Sequence, residues 1–213
     1  MTYSFPCTDL SVAGKMKGMR KEDWENGNST RSGLLWEVER ILKELSKEEL
    51  PDVLLMENVP QILADKNILD FENWLQFLRS RGYQNYYQVL NAKDFGIPQN
   101  RKRCFCVSIL SDDYVNFEFP QPMNLNYVMK DFLEESVEEN FYLNNQKAKD
   151  LLDKLILDGA LNPDTIKKND KVAYLGNVRG GATPQGYSGS VYQKNGLTPT
   201  ILARDYKEPI LIL

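Results

Sequence analysis

Apolar residues recur along this chain with two different periods, and the switches between them mark out its elements. Across residues 31–45, Leu34, Leu35, Val38, Ile41, Leu42 and Leu45 fall at helical spacing, and Thr30 or Ser29 stands where the first turn needs a cap. The run Val53-Leu54-Leu55-Met56 is continuous, the pattern of a strand buried on both faces. Residues 67–82 return to helical spacing through Phe71, Trp74, Leu75 and Leu78, and Gly82 ends the segment. Residues 86–91 and 103–110 alternate, with Tyr87 and Val89 in one and Phe105, Val107 and Ile109 in the other, which predicts two strands paired antiparallel. The first eight residues read as the end of a strand running into a turn. Strand and helix patterns interleaved in this way predict an α/β domain.

The texture changes at Phe117-Glu118-Phe119-Pro120-Gln121-Pro122, where two prolines favour extended chain. The expected division is 1–122 and 123–213. In the second part, residues 126–135 and 144–157 read as helices, the latter with Leu151, Leu152, Leu155 and Ile156 as its apolar face. Six of the 13 glycines then fall between Gly176 and Gly196, among Asn, Ser, Thr and Gln. Glycine-rich chain of this kind can be a linker, but Tyr174, Val178, Tyr187, Val191 and Tyr192 are interspersed as in short strands. No internal repeat and no block of like charge occurs.

A chain of 213 residues can bury one good core, or one core and a small appended domain, and its 42% hydrophobic and 26% charged content is ordinary for a globular protein. No apolar run approaches membrane-spanning length and no signal peptide opens the chain, so the expected compartment is the cytoplasm. Cys7, Cys104 and Cys106 form no disulfide framework, and with no histidine present no metal site is expected. The net charge of −4 is not the usual footprint of a nucleic-acid binder. Any such binding has to come from local groups: Lys15, Lys17, Arg20 and Lys21, then residues 101–103, then Lys167, Lys168, Lys171 and Arg179.

Three short stretches carry candidate chemistry: Ser4-Phe5-Pro6-Cys7-Thr8-Asp9-Leu10-Ser11, Glu57-Asn58-Val59-Pro60, and Gln99-Asn100-Arg101-Lys102-Arg103. Singly, each has a plain structural reading: a buried thiol, a carboxylate at a strand end, a solvated basic turn. Jointly they supply a thiol nucleophile, a carboxyl group that can donate a proton and a set of guanidinium groups. That combination suits attack on an electron-poor heterocycle carried on an anionic backbone.

In that order, the three stretches resemble motifs of the cytosine-5 DNA methyltransferases, joined by Asn91-Ala92-Lys93-Asp94-Phe95-Gly96-Ile97-Pro98 leading into Gln99. Thr8 and Leu10 depart from the residues common in that family, glutamine and phenylalanine, and leave Cys7 and Ser11 in place. The resemblance implies a Rossmann-like class I methyltransferase sheet, here incomplete, with part of a small, loop-rich target-recognition domain. It implies methyl transfer from S-adenosylmethionine to C5 of a cytosine flipped out of duplex DNA. Cys7 would add to C6 of the ring, Glu57 would meet N3 and the exocyclic amine with a raised pKa, and Arg101 and Arg103 would present donors to base or phosphate. Pro6 and Leu34 would border the donor pocket. Ser11, Lys15, Lys17, Gln99, Thr200 and Arg204 would contact DNA, with residues 11–19 as a mobile loop beside it. Glycines 176–196 and the stretch Gly196-Leu197-Thr198-Pro199-Thr200-Ile201 would belong to the recognition region.

The family's glycine-rich donor-binding turn precedes its Pro-Cys motif, and closing motifs follow its recognition region; neither is found in this sequence. Three expectations follow: a fragment inactive alone, one subunit needing a partner that supplies the donor half, or a non-catalytic DNA-binding remnant. Open strand edges and apolar faces, and self-association through them, are expected as well. The DNA sequence recognised is not legible, because loops carry no transferable code.

Overall fold

The computed structural model describes residues 1–10, 17–28, 30–161, 171–178, 189–201 and 210–213. The chain divides into two compact units that are not contiguous in sequence: Met1–Leu90 with Lys102–Gln121, and Asn91–Arg101 with Pro122–Leu213.

The first unit is built on a four-stranded sheet in the order β1-β2-β4-β3, comprising β1 (Thr2–Tyr3), β2 (Val53–Asn58), β3 (Tyr83–Asn91) and β4 (Lys102–Leu110). β1 runs parallel to β2, with Thr2 opposite Leu55 and Tyr3 opposite Met56. β4 runs antiparallel to β2, from Val53 opposite Ile109 to Asn58 opposite Cys104. A parallel neighbour requires a long crossover. Here it contains α1 (Lys21–Glu25), a 3-10 turn at Arg31–Leu34, and α2 (Leu35–Glu44). The expected helix over 31–45 is therefore a 3-10 turn that becomes α-helix, with the Thr30 side chain accepting from the Gly33 amide as its cap. α3 (Asp65–Ser80) connects β2 to β3, and Gly82 follows it at φ +96°, a conformation that costs a side-chain-bearing residue energy.

The core lies on one face of this sheet. Leu54 and Met56 of β2, Cys104 and Cys106 of β4, and Phe71, Trp74, Leu75 and Leu78 of α3 are buried together with Leu35 and Leu42 of α2. Burying one such large side chain contributes about 1.5–3 kcal/mol. Trp74 donates its indole N–H to the Tyr3 hydroxyl at 3.1 Å, tying α3 to the edge strand.

The other face departs from expectation. Successive strand residues point to opposite faces, and the register sets Val53 beside Ile109 and Leu55 beside Val107 on the face away from the core. Val53 is 45% exposed and Leu55 37%. The continuous apolar run therefore belongs to a strand covered on one side only.

In the second unit α4 (Gln146–Leu157) forms where helical spacing predicts it, capped by the Asn145 side chain accepting from the Ala148 amide. β5 (Tyr174–Asn177), β6 (Ser190–Tyr192) and β7 (Leu211–Ile212) make a three-stranded sheet. Tyr187 lies outside the described residues. The helix expected at 126–135 is replaced by one 3-10 turn, Met129–Phe132. The cause is competition for donors: the Met129 and Lys130 amides bond across to the carbonyls of Gly196 and Lys194, at 3.0 and 2.8 Å, rather than back along a helix. No helix among the described residues is long and apolar enough to cross a membrane.

One buried charge joins the crossover elements. Glu39 of α2 is 3% exposed, and its Oε1 takes Lys21 Nζ at 2.7 Å and Lys43 Nζ at 2.6 Å. Burial pushes this carboxyl up, but its two ammonium partners outweigh that and hold it below the ordinary range. A depressed folded value means the stabilisation is present above the unfolded value of about 4.3 and is lost as pH falls through the folded one. Glu39→Gln is thus expected to lower the urea midpoint at neutral pH, with the gap to the parent closing as pH drops below that value.

Candidate active site

In the first unit the candidate residues gather at the carboxyl ends of β1 and β2, the end at which open α/β sheets place their chemistry. Cys7 is exposed, in the turn four residues beyond β1. The turn is held through its carbonyls. Phe5 O accepts from Asn58 Nδ2 at 3.0 Å, Pro6 O from Ser32 Oγ at 2.5 Å, Cys7 O from the Leu10 amide at 3.0 Å, and Asp9 O from the Gly18 amide at 2.9 Å. Asn58 spends its other side-chain atom on the Val59 amide, at 2.8 Å.

Glu57 and Asn58 end β2 and point to opposite faces. Asn58 lies on the covered face, against the Cys7 turn. Glu57 lies on the open face, where its Oε1 receives Arg103 Nε at 2.9 Å. Ser4 Oγ donates to the Glu57 carbonyl at 2.9 Å and stands 3.5 Å from Oε2. The carboxylate is half-buried, with its guanidinium partner 18% exposed. Arg103 follows on β4 because Glu57 pairs with Phe105 two residues further along, which sets both side chains on one face. Pro6 and Leu34 are both exposed, on segments joined by the Ser32–Pro6 bond. Lys17 is exposed; Ser11, Lys15 and Arg204 lie outside the described residues, as do residues 11–16 of the expected loop.

The second unit brings together Gln99 and Thr200. Thr198 forms a parallel bridge with Gln99, its amide donating to Pro98 O at 2.8 Å and its carbonyl accepting from the Asn100 amide at 3.0 Å. Gln99 Nε2 reaches Pro199 O at 3.4 Å, and Thr200 Oγ1 donates to Asn100 O at 3.1 Å. Arg101 is positioned by its backbone: its amide donates to Asn91 Oδ1 and its carbonyl accepts from the Ala92 amide, both at 3.0 Å. The Gln-x-Arg-x-Arg stretch thus begins in one unit and ends in the other, with Arg101 in the second and Arg103 in the first.

Ser4, Asp9, Ser32 and Asn58 shape the site without having been assigned roles from sequence. Ser4 and Asp9 stand inside the quoted motif and Asn58 beside Glu57; Ser32 stands in the segment Arg31-Ser32-Gly33-Leu34-Leu35-Trp36-Glu37, where the sequence points to the apolar residues and not to the serine. No group of three or more His, Cys, Asp or Glu side chains able to hold a metal occurs among the described residues.

The profile described as C-5 cytosine-specific DNA methylase matches residues 1–205. The Type II methyltransferase M2.ScrFI of Lactococcus lactis subsp. cremoris is 41% identical over 187 residues, which span 84% of this chain and 49% of that protein. The orphan methyltransferase M.SssI of Spiroplasma monobiae is 47% identical over 145 residues, 68% of this chain and 36% of that one. The Type II methyltransferase M.HhaI of Haemophilus parahaemolyticus is 30% identical over 202 residues, 90% and 57% of the two chains. The chain spans about half the length of the curated relatives it matches. Among solved structures, a methyltransferase of Entamoeba histolytica, EhMeth, superposes with a TM-score of 0.56 at 17% identity, covering 99% of this chain and 51% of its own. The Dnmt2 methyltransferase of S. pombe gives 0.55 at 16% identity, with 99% and 52% covered. These likenesses establish an α/β, Rossmann-like methyltransferase fold.

Burial pushes the Cys104 thiol up to about 12 and the Cys106 thiol to about 11. Iodoacetamide at mildly alkaline pH should therefore modify the folded chain at Cys7 alone and all three thiols after denaturation, as counted by intact mass; native labelling that persists in Cys7→Ser would contradict the described geometry.

Proposed function

The chain belongs to the C-5 cytosine-specific DNA methylase family, and from that footing we propose that its residues perform the nucleophilic part of methyl transfer to C5 of a cytosine in duplex DNA. The observation that carries this reading is the placement of an exposed cysteine turn and a guanidinium-held carboxylate at the carboxyl ends of two adjacent parallel strands. A cytosine carbon is not nucleophilic enough to take a methyl group directly. The Cys7 thiolate adds to C6, and the ring electron pair shifts so that C5 becomes enamine-like. Once C5 is methylated, it loses its proton, the thiolate leaves C6, and aromaticity returns.

Glu57 faces N3 and the exocyclic amine. Arg103 occupies Oε1, which leaves Oε2 for the base edge, and a proton delivered there offsets the charge pushed into the ring by the attacking sulfur. Arg101 directs its donors to the base carbonyl or a phosphate. Lys17, Gln99 and Thr200 contact DNA, as do Ser11, Lys15 and Arg204. The target atoms are hidden in a stacked duplex, so the cytosine is taken out of the helix before attack.

The exposed, apolar Pro6 and Leu34 suit one wall of an S-adenosylmethionine site, the two segments being fixed to each other through Ser32. When bound, the donor supplies an electrophilic methyl group. Partners are double-stranded DNA and a polypeptide segment carrying the remainder of the donor site. That segment covers the open sheet face at Val53 and Leu55, a reading supported by the chain's spanning about half of its relatives. Residues 1–122 form the catalytic part of the methyltransferase domain and 123–213 part of the target-recognition domain, and the enzyme works in the cytoplasm.

The test is transfer of labelled methyl groups from S-adenosylmethionine to DNA by this chain joined to or mixed with a donor-binding segment of a relative, with 5-methylcytosine as the product. Cys7→Ser should abolish transfer, and Glu57→Gln should slow it about 10²- to 10⁴-fold. DNA binding that survives Cys7→Ala, with no transfer in any mixture, would overturn the reading in favour of a non-catalytic DNA-binding chain. Gel filtration separates the occupants of the open face. A monomer that shifts only on adding the donor-binding segment supports that segment as the partner; a dimer of the chain alone points to a second copy.

A further inference from the structure

The nucleophile turn contains a proline directly before the cysteine, and that has a mechanical consequence. Pro6 has no amide hydrogen, so the Phe5–Pro6 peptide offers no donor, and the next peptide, Pro6–Cys7, presents the Pro6 carbonyl as its acceptor and the Cys7 amide as its donor. The orientation of the Pro6–Cys7 plane sets the direction in which Cys7 leaves the backbone. Among the described residues, its side-chain tether is the hydroxyl of Ser32, donated to Pro6 O. Ser32 is fully buried and stands in the 3-10 turn Arg31–Leu34.

The residue before it grips the turn on the far side of the cysteine. The Arg31 amide donates to Asp9 Oδ2 at 2.9 Å, and Asp9 is buried. The Asp9 carbonyl holds the Gly18 amide at 2.9 Å, the Gly18 carbonyl takes the Thr30 hydroxyl at 2.8 Å, and Thr30 caps the same 3-10 turn. The bonds close a circuit from Asp9 through Gly18, Thr30 and Arg31 back to Asp9. The 3-10 turn leads into α2, whose Leu35 and Leu42 are fully buried in the core, so the circuit is mounted on a rigid element.

We propose that Ser32 and Asp9 are positioning residues for Cys7: a clasp, carried by the start of the α2 segment, that brackets the nucleophile at the residue before it and two residues after it and fixes the direction of its thiol. This rests on Cys7 being the nucleophile for its functional meaning, but not for its test. A buried hydroxyl with a partner is otherwise the plain outcome of satisfying a polar group, and such a role would alter stability without altering the motion of Cys7 in particular.

The experiment attaches a nitroxide to Cys7 of the full chain and reads its mobility by electron paramagnetic resonance. A control nitroxide is placed on α3 by Leu69→Cys in a Cys7→Ser background, Leu69 being 74% exposed. Ser32→Ala and Asp9→Ala are each expected to shorten the Cys7 label's correlation time severalfold and leave the α3 label unchanged. Asp9→Asn, which keeps an acceptor for the Arg31 amide, should restore the parent spectrum. Cys7 spectra that superimpose on the parent in both alanine variants overturn the proposal, as does an equal loosening of both labels. Should Ser32→Ala fail to fold, the Asp9→Ala and Asp9→Asn pair decides by the same readout. These outcomes stand whether or not the chain transfers methyl groups, so a failure here is distinguishable from a failure of the proposed chemistry.

Discussion

The hydrogen bond from Asn58 to the carbonyl of Phe5 is the interaction on which the Cys7 end of the first unit depends. It is made by a 2% exposed amide at the last residue of β2, and it reaches across to the chain just beyond β1. β1 is only two residues long and could not by itself hold the following turn to the sheet. Because strand residues alternate, an inward-facing Asn58 obliges Glu57 to face outward, onto the surface where Arg103 receives it. One residue therefore fixes the Cys7 segment, and its neighbour presents the carboxylate. Replacing the buried amide by an apolar group would leave a carbonyl without a partner, a loss of about 1–3 kcal/mol concentrated at the site.

What was readable in the sequence follows physical lines. The thiol, the carboxylate and the arginines announce themselves because their chemistry admits few substitutes, and α2 and α3 because a helix packed on a sheet must repeat its apolar face. Ser32, Asp9 and Ser4 act through single hydrogen bonds between segments distant in the chain, and nothing periodic marks such bonds. Residues 126–135 show the limit of periodicity. Their spacing suits a helix, but the amides of Met129 and Lys130 find better-placed acceptors at Gly196 and Lys194. The continuous run at 53–56 has the pattern of a strand covered on both sides, whereas the first unit covers one.

That half-covered sheet also reconciles the chain's composition with its family. Apolar residues at Val53 and Leu55 are what a strand needs when both its faces meet protein, and they are retained in a unit that supplies only one cover. The negative balance of the chain has a similar reading: cationic groups sit at particular places in the sequence, Lys17 and Arg20 beyond the Cys7 turn and Arg101 and Arg103 around the strand loop.

The pairing of Gln99 with Thr198 bears on how the protein is made. Thr200 meets Asn100 across 100 residues of intervening chain, a closure whose logarithmic entropy term is on the order of 4 kcal/mol. During synthesis, β1 to β4 and the helices among them have all left the ribosome before Thr198 exists. The first unit's sheet can therefore set first, with the 91–101 segment waiting as an unpaired excursion from it until residues about 100 positions later emerge to pair with it. Assembly in that order gives a nascent chain its Cys7 turn and the Glu57–Arg103 pair before Gln99 has a strand partner.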